Sequence, residues 1–122
     1  MTAPIRILLV DDEAAFVDTL AKRLAHLGAL VATAEGGVEA YSVLEAEPVD
    51  VVLLDMHMPD LNGLETLKII RKNFPSTEVI LLTGEGDMTR HMQSLEAGAF
   101  DFLLKPVPLE RLWKRIMEAA GR

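Results

Sequence analysis

Three apolar runs, Ile5-Arg6-Ile7-Leu8-Leu9-Val10, Val51-Val52-Leu53-Leu54 and Val79-Ile80-Leu81-Leu82, are nearly continuous rather than alternating. A strand with one wet face carries an apolar residue at every second position, whereas a strand covered on both faces is apolar throughout. The runs, rich in Val, Ile and Leu, therefore predict parallel strands buried between two layers. Two further runs, Ala29 to Ala34 and Phe100 to Leu104, bring the predicted strands to five.

Helical spacing fills the intervals. Phe16, Leu20, Leu24 and Leu27 follow the first run, then Ala40, Val43 and Leu44, then Leu64, Leu67, Ile70 and Phe74. The same i, i+3, i+4 rhythm returns in Met88, Met92, Leu95 and Ala99, and again in Leu109, Leu112, Ile116 and Ala119. Chain breakers punctuate the scheme: Gly28, Gly36-Gly37, Pro48, Pro75 and Gly98. Each parallel connection needs a crossover, and crossovers are almost always right-handed. Strict alternation thus predicts an α/β protein, a (βα)5 doubly wound sheet of five parallel strands.

At 122 residues, 50% apolar and 25% charged, the chain has room for one domain, expected to span residues 1–122. Nineteen acidic against twelve basic residues give a net charge of −7. That removes the attraction behind most non-specific nucleic-acid binding, so neither direct nucleic-acid binding nor an anionic membrane partner is expected. With no cysteine, disulfides, thiolate metal sites and cysteine nucleophiles are excluded, and a reducing compartment fits. No apolar run approaches the roughly 18–20 residues of a membrane span, and Met1 to Arg6 lack a signal-peptide core. A cytoplasmic location is expected.

Open α/β sheets bind ligands outside the carboxyl ends of their strands. The first predicted strand ends in Asp11-Asp12, the third in Asp55, the fourth in Thr83-Gly84 and the fifth in Lys105-Pro106. Three carboxylates, a hydroxyl and an ammonium should therefore converge on one edge. Like charges so placed need a cation, and Mg2+ suits them: it takes hard oxygen ligands, one or two carboxylates at a time, here Asp12 and Asp55 directly and Asp11 through water. The lack of cysteines and of paired histidines argues against zinc. A metal, a lysine and a hydroxyl around a carboxylate make a site for a transferring phosphoryl group, with an aspartate able to act as the nucleophile.

Four motifs in order, Val10-Asp11-Asp12-Glu13, Leu53 to Gly63 (LLDMHMPDLNG), Leu81-Leu82-Thr83-Gly84 and Leu103-Leu104-Lys105-Pro106, make the chain resemble the receiver domain of bacterial two-component response regulators over its whole length. The resemblance implies the flavodoxin-like strand order 2-1-3-4-5. It implies Asp55 as phosphoacceptor, and Asp11, Asp12 and Asp55 as Mg2+ ligands together with the backbone carbonyl of His57. It also makes Thr83 a switch hydroxyl and Lys105 the cation that pairs with the phosphoryl group. Phe102 falls at an aromatic switch position that is often tyrosine, so burial of the ring must replace the hydroxyl's hydrogen bond. His57 and Glu85 occupy positions that tune phosphoaspartate lifetime, and a cis Lys105-Pro106 bond is expected. The implied partner is a sensor histidine kinase or phosphotransfer protein. An output protein or a second copy would engage the face of the fourth helix, fifth strand and fifth helix.

Plainer roles stand beside these. Asp11-Asp12 also suits a helix N-cap, worth about 1 kcal/mol, Thr83-Gly84 a strand-ending turn, and Lys105 a surface lysine before a helix. His26 and His91 read as solvated, Met88 and Met92 as core. Trp113, off the main stripe of the last helix, reads as partly exposed, a mark of a contact surface. Asp101, Arg111, Lys114 and Arg115 offer ion pairs between subunits, or an ordinary solvated face.

The expected function is a phosphorelay switch that assists its own phosphorylation and dephosphorylation rather than an enzyme. The alternative is a degenerate, phosphate-independent receiver acting as an interaction module. A haloacid-dehalogenase-type phosphohydrolase is disfavoured because His57, not an acid, lies two residues after Asp55, and because there is no cap domain. A flavin-binding protein is disfavoured because the first strand–helix loop is acidic where a phosphate cradle would be rich in glycine or hydroxyls. The chain reads equally as a single-domain regulator or as the receiver of a longer protein.

Overall fold

Both faces of the central sheet are covered, as the continuous apolar runs require. The computed structural model describes residues 3–56, 60, 62–84 and 88–122. In chain order the elements are β1 (Arg6–Val10), α1 (Ala14–His26), β2 (Leu30–Ala34), α2 (Gly37–Ala46), β3 (Val51–Leu54), α3 (Gly63–Asn73), β4 (Glu78–Thr83), α4 (Met88–Glu96), β5 (Asp101–Leu104) and α5 (Leu109–Ala119). The strands pair in parallel in the order β2-β1-β3-β4-β5. The expected (βα)5, flavodoxin-like fold is therefore the observed one.

Alternate side chains of each strand enter opposite layers. Leu8, Val10, Val52, Leu54, Val79, Leu81 and Phe102 pack with Ala40 and Leu44 of α2 and Leu67 and Ile70 of α3. On the other face Ile7, Leu9, Val51, Leu53, Ile80, Leu82 and Leu103 meet Val17, Leu20 and Leu24 of α1 and Leu112 and Ile116 of α5. Each fully buried Leu or Ile contributes about 1.5–3 kcal/mol, which explains why three central strands tolerate no polar residue between their ends. Gly28 and Gly98 follow α1 and α4 with φ of +103°, the left-handed helix-ending conformation that disfavours any side chain.

Two expectations about helix faces need correction. Met92 is not core: it is 54% exposed and Leu95 44%, while Ser94 is fully buried. Helix α4 is rotated by about one residue from its apolar stripe, so the small Ser94 faces the sheet, its hydroxyl donating to the His91 carbonyl at 2.7 Å. The side chain of Met88 lies outside the described residues. In α1, Val17 takes the buried position, Phe16 is half-buried, and Leu27, past the helix end, is 43% exposed. Trp113 is partly buried, as expected, and packs on the α1/α5 layer beside Ile5, Leu27 and Met117.

Candidate functional site

The edge where the strands end is built by extending the ladder one residue beyond each strand. Asp11 N donates to the Ala34 carbonyl, Asp55 N to the Val10 carbonyl at 3.0 Å, and Lys105 N to the Thr83 carbonyl at 2.7 Å. Backbone hydrogen bonds thus fix the Cα positions of Asp11, Asp55 and Lys105. The Lys105-Pro106 bond is cis, as the resemblance implied.

Asp11, Asp12 and Asp55 each present a carboxylate oxygen, and the three lie within 4.8 Å of one another. Asp11 and Asp55 are 3% and 6% exposed, whereas Asp12 faces solvent. Clustered, half-dehydrated anions demand a cation. Lys105 supplies one: its ammonium donates to Asp11 Oδ2 at 2.7 Å and to Glu13 Oε1 at 3.3 Å. Burial pulls the Lys105 pKa down, but the hydrogen bond and charge of Asp11, with Asp55 and Glu13, more than offset this and hold it above its ordinary value. Lys105 is an ammonium at neutral pH. The three oxygens are all hard donors, the set a divalent cation such as Mg2+ prefers, so the acidic triad is fit to bind one.

The N-cap reading of the acidic pair is superseded. Helix α1 is preceded by Glu13 without a side-chain cap, and Asp11 Oδ1 instead accepts from Glu13 N at 2.9 Å, which orients the carboxylate. Thr83 is the last residue of β4 and its side chain is fully buried. Phe102 is 7% exposed. Its ring stacks on His91 with centroids 5.1 Å apart and planes at 18°, so His91 is not merely solvated. His57, Glu85 and the motif residues Met58, Pro59 and Leu61 lie outside the described residues.

Helix α3 presses directly on Asp55. A Cβ on Gly63 would stand 2.6 Å from Met56 Cα and 2.7 Å from the Asp55 carbonyl, so only glycine lets the helix start there. Asn62 caps the same helix, accepting from Glu65 N at 2.9 Å, and its side-chain amide donates to Glu65 Oε1 at 3.2 Å, which fixes the cap's orientation.

Sequence reading missed three partners. Phe16 places its ring under the Lys105 ammonium, 4.2 Å from ring centroid to Nζ. His91 covers Phe102, as described. Asp60 accepts from Gly37 N and Val38 N at 3.0 Å, capping α2, whose own N-cap Gly36 has no side chain to do so. None has a local signal, since each pairs segments more than ten residues apart. Asp101 and Arg115, offered as intersubunit partners, pair within the chain: Arg115 Nε donates to Asp101 Oδ2 at 2.7 Å.

A model of the response regulator receiver domain family matches residues 7–117. The chain is 37% identical over 116 residues to the transcriptional regulatory protein GlrR of Escherichia coli K12, covering 95% of this chain and 26% of that protein. It is 37% identical over 113 residues to the response regulator MprA of Mycobacterium sp. strain KMS, covering 93% and 49%. The chain therefore spans a quarter to a half of the length of these curated relatives. Among solved structures it is similar to a CheY-like receiver domain protein of Methanospirillum hungatei JF-1, with TM-score 0.93, 32% identity and coverage of 98% and 95%. A response regulator of Burkholderia pseudomallei solved with a phosphorylated aspartic acid, calcium ion and citrate has TM-score 0.88, 26% identity and coverage of 96% and 69%. The beryllofluoride-activated NtrC4 receiver domain dimer has TM-score 0.90, 33% identity and coverage of 95% and 96%. No described helix is long and apolar enough to cross a membrane. A family match over nearly the whole length, on the fold of a CheY-like receiver, means that the chain belongs to the response regulator receiver domain family, a signalling switch rather than a classical enzyme.

Proposed function

We propose that residues 1–122 form one phosphoacceptor receiver, in which Asp55 takes a phosphoryl group from a phosphohistidine of a partner kinase or phosphotransfer protein. Receiver domains partner with histidine kinases, and a relative of this fold has been solved with a phosphorylated aspartic acid. An Asp55 carboxylate oxygen attacks phosphorus, the P–N bond of the donor breaks, and the leaving imidazole nitrogen takes a proton. The observation that carries this reading is the convergence of three carboxylates and the Lys105 ammonium on one strand edge.

Asp11, Asp12 and Asp55, with the backbone carbonyl of His57, would hold Mg2+. When bound, that ion supplies positive charge to the phosphoryl oxygens. Lys105 adds its own charge by turning from Asp11 toward the new anion, and the Thr83 hydroxyl donates to the same group. The Phe102 ring is packed inward beneath His91, so movement of Thr83 and of α4 would secure its burial rather than create it. The reshaped face is that of α4, β5 and α5, where Met92, Leu95 and Leu104 are exposed. There a second copy or an output protein would bind, and the activated receiver dimer among the structural relatives supports the first.

Intact-mass analysis after incubation with acetyl phosphate, with and without Mg2+, tests the reading. One Mg2+-dependent phosphoryl adduct is expected, absent in Asp55→Asn. No adduct with acetyl phosphate or with a phosphorylated kinase would overturn it in favour of a phosphate-independent interaction module.

A further inference from the structure

The Lys105 side chain is 13% exposed, so little water solvates its ammonium, and protein groups must do so instead. An ammonium has three N–H donors and no acceptor. Asp11 and Glu13 accept from it, and the face of the Phe16 ring lies beside it at 4.2 Å. That distance is well inside the roughly 6 Å over which a cation is drawn to an aromatic face. Phe16 sits in the first turns of α1, the helix that follows the Asp11-Asp12 loop, and is half-buried against the α1/α5 layer. Its ring is thus held by packing independent of Lys105.

We propose that Phe16 is a positioning residue for Lys105: its π face holds the ammonium over the acidic edge without occupying a donor that the phosphoryl group must claim. The inference rests on the phosphoacceptor reading above. A third carboxylate or amide at this place would hold a donor in a directed hydrogen bond and compete with the incoming anion. The ring attracts charge without that directionality, so the ammonium can pivot from Asp11 toward Asp55 while staying solvated. An aliphatic side chain would exclude water equally well but offer no attraction. The ammonium would then be drawn outward by Glu13, whose side chain is 65% exposed.

The test compares Phe16→Leu, which keeps an apolar body and loses the π face, with Phe16→Tyr, which keeps both. Phosphorylation by acetyl phosphate at saturating Mg2+ is followed by intact mass over a range of donor concentration. Phe16→Leu is expected to lower the maximal rate about threefold to tenfold, with the half-saturating donor concentration unchanged and Phe16→Tyr close to wild type. The Lys105 side-chain methylene protons should show an upfield ring-current shift by NMR, present without any donor, retained in Phe16→Tyr and lost in Phe16→Leu. A wild-type rate in Phe16→Leu, or equal slowing in both variants, would overturn the positioning role while leaving Asp55 as acceptor. A wild type that takes no adduct removes both proposals, even where the ring-current shift confirms the contact.

Discussion

Helices α1 and α4 carry the same apolar rhythm and use it in opposite ways. In α1, Leu20 and Leu24 are 8% and 0% exposed and pack on the central strands. In α4, Met92 and Leu95 of the stripe face solvent while Ser94 faces the sheet. The difference lies in what each helix covers. Helix α1 lies mainly against the edge strand β2, but its Leu20 and Leu24 reach inward to Ile7 and Leu9 of β1 and Val51 and Leu53 of β3, where wide aliphatic side chains fill the layer. Helix α4 lies against the four-residue edge strand β5 and helix α3, and there the small Ser94 takes the buried position while the large residues of the stripe stay outside. A periodic stripe shows that a helix has a face; the side chains it meets across the fold decide whether that face is the buried one.

If that comparison is right, truncation in α1 has the largest effect. Leu24→Ala is expected to lower stability by about 2–5 kcal/mol, read as a fall in the urea midpoint followed by Trp113 fluorescence. Loss under about 1 kcal/mol would mean that α1 does not anchor its layer. Enlarging the small face of α4 comes next: Ser94→Leu is expected to cost about 1–3 kcal/mol by overpacking, whereas Ser94→Ala keeps the close approach. Equal midpoints for the two serine variants would show that α4 has room to spare. The smallest effect is at the outer stripe, where Met92→Ala and Leu95→Ala should leave stability within about 0.5 kcal/mol. If the face binds a partner, these same variants weaken self-association of the phosphorylated protein in sedimentation velocity. A stability loss as large as that of Leu24→Ala would instead return the stripe to the core.

The two helices also differ in what they lend to the site. Phe16 of α1 lies under Lys105 and His91 of α4 covers Phe102. Neither ring was legible in the sequence, because Phe16 reads as one member of a core stripe and His91 as a polar residue on an outer face. Asp11, Asp12, Asp55, Thr83 and Lys105 were legible for a plain reason. Parallel strands in register bring their carboxyl ends to one edge, so residues that end successive apolar runs meet without further instruction. Asp60 shows the limit: it caps a helix that begins 23 residues earlier, and spacing along the chain holds no trace of that pairing. Asp101 and Arg115 show it again, since two charges suited to an interface turn out to bind each other.

The sequence by itself determined the order of elements, the two-sided burial of the sheet and the residues at its strand ends. Hydropathy period and chain breakers act locally, and crossover handedness leaves few ways to join what they define. Only the tertiary structure decided which side of α4 faces inward, which ring receives the Lys105 ammonium and which charges are used up within the chain. Those outcomes depend on the separation and relative rotation of packed elements, quantities set by the sizes of side chains that meet across the fold rather than along it.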